Sequence, residues 1–181
     1  MMVWTDFVKE MLANLVLASH IAIVLTVLVL VLQKIMKRKF GFSEPIASLI
    51  KKYGLWFAFI VALVSTLGSL FYSEILGFSP CKLCWYQRIF MYPLALIMPI
   101  AAWKKDRKIT GYALPMCIIG GLIALYHYYV QFSAKVVTCG SLDAVDCSIR
   151  YIFHYNYITM PMMALTGFVM IAFFAYVYRK G

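Results

Sequence analysis

The sequence predicts an all-α integral membrane protein: a four-helix transmembrane bundle plus one additional N-terminal transmembrane helix. Three observations carry this. The chain is 64% hydrophobic with a mean hydropathy of +0.85 and only 13% charged residues, more apolar surface than a water-soluble core of 181 residues can hide. Five stretches, roughly 13–33, 53–73, 86–102, 111–132 and 160–178, hold few or no charges. At 1.5 Å per residue, each approaches or exceeds the ~30 Å of a hydrocarbon core. Lysine and arginine also alternate in density from one connection to the next, as flanks of successive spans do.

The first stretch has the length of a span rather than a signal peptide. Asp6, Lys9 and Glu10 precede it, and Lys34, Lys37, Arg38 and Lys39 follow it as a stop-transfer cluster, so a retained helix is expected. Next, Ser43-Glu44-Pro45 reads as an N-cap, an acidic first turn and a proline at the first helical position. Ile46, Leu49, Ile50 and Tyr53 follow at helical spacing, which predicts a short interfacial helix. The chain thus divides into residues 1–52, with the extra span (about 13–33) and a cytoplasmic interfacial segment, and a four-helix core over 53–181. The third span carries Pro93 and Pro99 and is expected to bend. In the last long loop, Ile149, Ile152 and Phe153 are expected along the outer surface. Tyr126, Tyr128, Tyr129, Tyr151, Tyr155 and Tyr157 are expected in an interfacial aromatic belt.

Of 17 lysines and arginines, twelve fall in 34–52, 103–110 and the C-terminus, and five (Lys9, Lys82, Arg88, Lys135 and Arg150) on the other side. The bias places the N-terminus and both cysteine loops outside, and the C-terminus in the cytoplasm. The net charge of +10 is therefore an orientation signal. The lipid bilayer is the expected partner, and nucleic acid is not.

Chemistry concentrates in the cysteines. Cys81 and Cys84 form a CxxC where a polar loop enters the third span; Cys139 and Cys147 lie in the other outward loop. On that side of a membrane disulfides persist. A structural metal site needs about four ligands, and the Cys139–Cys147 spacing is too wide for a zinc knuckle, so no metal is expected. Structural disulfides remain an alternative. A thiol relay between soluble dithiols and a lipid-dissolved carrier fits better, because Cys84 starts a helix and Arg88 lies one turn on. An arginine at the interface either serves such a site or snorkels to headgroups. His127 and Gln131, four apart in the fourth span, either bond water and headgroups or line a quinone pocket. Cys117, beside Gly120 and Gly121 within that span, reads as a small packing residue.

The run Pro80-Cys81-Lys82-Leu83-Cys84-Trp85-Tyr86-Gln87-Arg88 resembles the signature of the DsbB/BdbC family of membrane thiol–disulfide oxidoreductases, and its Trp-Tyr-Gln-Arg resembles the BdbC branch more. The similarity covers about residues 53–178 and includes both cysteine pairs and the His127–Gln131 spacing. It implies quinone-dependent oxidation of a soluble extracytoplasmic thioredoxin-fold oxidase of the DsbA/BdbD type, at a bacterial cytoplasmic membrane, with ubiquinone or menaquinone as acceptor. By that resemblance Cys139 meets the partner, Cys147 exchanges with Cys81, and Cys84 reacts with quinone aided by Arg88, with His127 and Gln131 lining the quinone site. The extra N-terminal span departs from the family's four-span core. Vitamin K epoxide reductase-like proteins also couple a CxxC to quinone, but commonly carry it late in the core, whereas here it comes first. A non-catalytic membrane protein with structural disulfides is the remaining alternative.

Overall fold

The computed structural model describes residues 2–36, 43–133 and 146–180. Of the described residues, 83% are helical, and among them lie five α-helices: α1 (Met2–Met36), α2 (Ser43–Leu70), α3 (Lys82–Lys104), α4 (Thr110–Phe132) and α5 (Met160–Lys180). No strand occurs among the described residues; the only sheet-like pairing is an isolated bridge between His154 and Ile158. Four helical segments, Trp4–Gln33, Ser48–Ile75, Thr110–Phe132 and Met160–Lys180, are long and apolar enough to cross a membrane.

The expected third span is not among those four. Its 23-residue helix is long enough, but Trp85, Tyr86, Gln87, Arg88 and Tyr92 at its start lower its mean hydropathy. These polar and aromatic residues serve the protein interior as well as lipid: Gln87 is buried. The helix runs on through both Pro93 and Pro99.

Helices α2 to α5 form the bundle, with α2 against α3 and α5, and α4 against α3 and α5. The core is built from Leu55, Leu94, Met98, Phe168 and Ile171 with many alanines between them. Small residues let helix backbones approach in lipid, where packing rather than water exclusion drives association. Gly54 shows the limit: a Cβ there would stand 2.9 Å from the Phe174 carbonyl oxygen on α5. Gly120 on α4 similarly receives the Phe168 ring. Cys117 is buried in this core as a free thiol.

Residues 43–52 do not form a separate interfacial helix. They are the opening turns of α2, which runs unbroken to Leu70 because no glycine or proline interrupts the pattern after Pro45 until Gly54, inside the packed span. At its other end α2 passes into a five-residue π-helical turn, Phe71–Ile75. Helix α1 packs against α5. Its contacting face (Ala13, Val16, His20, Ile23) lies in the first half of the helix; most residues from Val24 onward are exposed.

The loop before α5 also differs from expectation in one place. Ile149 and Phe153 are exposed, whereas Ile152 is buried, turned inward between them by the bends of this irregular segment. Tyr126, Tyr129, Tyr151 and Tyr155 are exposed, while Tyr128 and Tyr157 are half-buried.

Candidate active site

The CxxC sits where helix physics favours a thiolate. Cys81 is the N-cap of α3, and its sulfur accepts from the Cys84 backbone N–H at 3.4 Å, one of the donors a helix leaves unpaired at its start. The Cys81 and Cys84 sulfurs share a hydrogen bond, Sγ to Sγ 3.1 Å. That bond is the main reason the Cys81 thiol is held below the usual thiol range, against the opposing effect of burial; His127 adds to the lowering. Both cysteines are free.

His127, 2% exposed, is placed by α4 directly behind Cys81. Gln87 Nε2 donates to His127 Nδ1 at 3.0 Å. Nδ1 is then the acceptor nitrogen, and Nε2–H is the donor. That N–H faces the Cys147 carbonyl oxygen at 3.2 Å and Cys81 Sγ at 3.6 Å. One buried imidazole thus ties the CxxC to the second cysteine loop. Gln131, one turn further along α4, donates to the Ile149 carbonyl at 3.1 Å and holds the same loop. Asp146 closes a local turn there, accepting from the Ser148 N–H at 2.9 Å and the Ser148 hydroxyl at 2.8 Å.

Cys147 is disulfide-bonded and buried in one cluster with Cys81 and Val130. Cys139 lies outside the described residues. A small cavity of about 20 Å³, room for one water, is bounded by Cys81, Cys84, His127, Gln131 and Cys147. The Gln131 Oε1 oxygen is buried with no hydrogen-bond partner among the described residues. Ligand atoms of Cys81, Cys84 and His127 lie within 4.8 Å of one another, so this trio has donors suited to a thiophilic ion as well as to thiol exchange.

A second, larger space opens on the other side of α3. This cleft, about 280 Å³ and lined mainly by apolar side chains, is bounded by α1, α2, α3 and α5, and Cys84 and Arg88 both stand in its wall. Arg88 does not reach for solvent. Its Nε donates to Ser69 Oγ at 3.0 Å and its terminal nitrogen to the Ser69 carbonyl at 3.1 Å, with the guanidinium 5.3 Å from the Trp85 ring centroid. Phe78 and Tyr151, stacked at 4.8 Å, roof the cleft at the loop end.

Cys84 therefore borders both spaces, while Cys81 borders only the buried cluster. The expected site residues separate accordingly. Arg88 lines the cleft; His127 and Gln131 do not, and instead adjoin the cysteines. Spacing along α4 showed that these two share a face, but not which helix stands opposite. Gln87 and Ser69, which orient His127 and Arg88, were not singled out from the sequence. Gln87 had a signal: Cys84, Gln87, Arg88 and Met91 stand at 0, 3, 4 and 7 on one helical face.

The model of the family "Disulfide bond formation protein DsbB" matches residues 51–178. The chain belongs to the DsbB family. Among curated DsbB-family relatives, "Probable disulfide formation protein C 1" of Bacillus anthracis is 46% identical over 134 residues, 72% of this chain and 94% of that protein. "Disulfide bond formation protein C" of Bacillus subtilis is 47% identical over 124 residues, 66% and 88% of the two chains. "Probable disulfide formation protein" of Coxiella burnetii is 37% identical over 132 residues, 71% and 89%. No solved structure matches. Membership supports an oxidoreductase role in disulfide bond formation. The DsbB model begins inside α2, so α1 lies outside it.

Proposed function

We propose that this protein oxidises a soluble extracytoplasmic thioredoxin-fold oxidase of the DsbA/BdbD type and delivers the electrons to a membrane quinone. The observation that carries this reading is the position of Cys84, shared between a buried cysteine cluster and an apolar cleft. Proteins of this family carry the electrons of disulfide formation, and here the two spaces suit two differently solvated reactants. The basic residues flanking the spans put the cysteine loops on the outer face and the C-terminus in the cytoplasm.

The relay balances as follows. A partner thiolate attacks Cys139 of a Cys139–Cys147 disulfide, forming a mixed disulfide and releasing the Cys147 thiolate. The partner's second thiol resolves the mixed disulfide and leaves oxidised. Cys147 attacks Cys81 of the Cys81–Cys84 disulfide, and Cys84 leaves as thiolate. Cys139 then displaces Cys81 from Cys147, so the loop pair is again oxidised and both electrons rest on Cys81 and Cys84. Free Cys81 and Cys84 beside a disulfide-bonded Cys147 match that last state.

The His127 N–H holds the Cys147 backbone and the Cys81 sulfur together for exchange, and donates to the charge on Cys81. Phe78 and Tyr151 keep water from the cleft. Residues present fit a quinone: an apolar slot for ring and tail, with a fixed guanidinium fork beside a cysteine. A quinone bound there supplies a sink for two electrons and two protons. Arg88, with Ser69 fixing its guanidinium, would hold the quinone's oxygen end at the part of the cleft that Cys84 lines. The test is quinone reduction by the purified protein with a reduced thioredoxin-fold oxidase as donor. Turnover that requires both cysteine pairs is expected; no thiol-dependent quinone reduction leaves the non-catalytic reading.

A further inference from the structure

We infer that the extra helix α1 completes the acceptor site: its Leu12–Ser19 segment forms one wall of the quinone cleft and sets which ring and tail the cleft admits. This rests on the reading of that cleft as the quinone site. Leu12, Leu15, Val16 and Ser19 border the same space as Cys84 and Arg88. Helix α1 is outside the family match, so the wall is an addition of this chain to the family's core.

The helix is fixed in this place by polar bonds rather than by bulk packing. Thr166 donates its hydroxyl to the Met162 carbonyl at 2.8 Å, so it accepts from His20 Nε2–H, at 2.7 Å. His20 Nδ1 is then the acceptor for the Tyr157 hydroxyl at 3.2 Å. Six residues earlier, the Tyr155 hydroxyl donates to Asn14 Oδ1. Polar pairs inside an apolar medium fix the register of one helix on another. Two such anchors, at Asn14 and His20, bracket Leu15, Val16 and Ser19, and Leu12 lies half a turn before the first. Opposite them, α2 presents Ser65, Gly68 and Ser69; a Cβ on Gly68 would lie 3.6 Å from Leu12. Small residues on α2 and larger ones on α1 leave a slot between the two helices, with Cys84 in its wall. Beyond Val24, all but the half-buried Gln33 of the described side chains are exposed, and the wall residues all lie in the first half of the helix.

The occupant follows from the two parts of the slot's lining. One part offers a cysteine and a cation, suited to a flat ring with carbonyl oxygens; the rest offers aliphatic wall, suited to a prenyl tail.

The test uses the full-length protein with Val16→Trp and Ser19→Trp, which fill the slot from α1; Met163→Trp, which fills it from α5; and Leu28→Trp, on the exposed half of α1. Quinone reduction is measured against a short-tailed quinone, and in parallel the quinone-free exchange of the cysteine pairs with reduced partner. Both α1 wall variants are expected to raise the apparent quinone KM about tenfold or more, the range for one misfitted group in an apolar pocket, with exchange and the Leu28→Trp enzyme unchanged. If Met163→Trp raises KM but neither α1 variant does, α1 is only a packing helix and the inference falls. If none of the three raises KM, quinone binds elsewhere and the reading of the cleft falls with it. A variant that also loses exchange has misfolded, and the decision passes to the other α1 variant and to azidoquinone photolabelling of the wild type, in which absence of label from residues 12–19 overturns the inference.

Discussion

Replacing His127 by alanine removes a polar group that bonds to both halves of the thiol relay. In the structure its N–H is shared between the Cys147 carbonyl at 3.2 Å and the Cys81 sulfur at 3.6 Å. A hydrogen bond to a charged group contributes about 1.5–3 kcal/mol; the long, shared geometry argues for the lower end, about 1.5 kcal/mol. That corresponds to about one pH unit on the Cys81 thiol. The sign follows from the lowering of Cys81 in the reduced protein. Its thiolate persists below the ordinary thiol value of about 8.5, so losing the donor raises the pKa and cuts Cys81 reactivity on the acid side. The same change destabilises the reduced pair, and its reduction potential should fall by about 30 mV. Reduced protein is pulsed with iodoacetamide across pH, Cys81 alkylation is read by mass spectrometry, and the potential is measured against glutathione. Gln131→Ala is the control, since Gln131 bonds Ile149 and not sulfur. Gln87→Ala should shift the profile in the same direction by less, because Gln87 acts through the imidazole. An unshifted profile and potential in His127→Ala, with normal folding, would refute the reasoning.

Four further outcomes are expected. Arg88→Lys and Arg88→Gln should both raise the apparent quinone KM, Gln more, by roughly 10- to 150-fold, with partner exchange intact; normal quinone reduction with failed membrane insertion would instead make Arg88 an anchor. Cys139→Ser should abolish partner oxidation while the Cys81–Cys84 pair still reduces quinone, and a partner adduct should be trapped through Cys139 in a Cys147-lacking variant rather than through Cys84. An impermeant maleimide in intact cells should label a cysteine placed at 143 but not at 44, and the reverse pattern would invert the topology. Gly120→Ala, forced against the Phe168 ring, should lower thermal stability by about 1–3 kcal/mol, whereas Gly111→Ala, with open space beside it, should not.

The sequence by itself determined the helical membrane class, the apolar stretch that underlies each of the five helices, and the cysteine motif that marks the family. Each is a property of a contiguous stretch: apolar length, flanking charge, or a nine-residue run from Pro80 to Arg88. It also showed that His127 and Gln131 share a face, because helical spacing is local. What stands across from a face is not local. Only the tertiary structure decided that this pair meets the cysteines while Arg88 meets the cleft, that Gln87 and Ser69 orient His127 and Arg88, and that Ile152 turns inward. Residues 43–52 likewise carry signals that fit either a surface helix or the start of a long one, and continuity of the backbone into α2 resolved it. The place of α1 is the clearest case. Its uniform hydrophobicity names lipid as its surroundings, but two polar pairs with partners more than a hundred residues away, His20 with Thr166 and Asn14 with Tyr155, set it against the cleft.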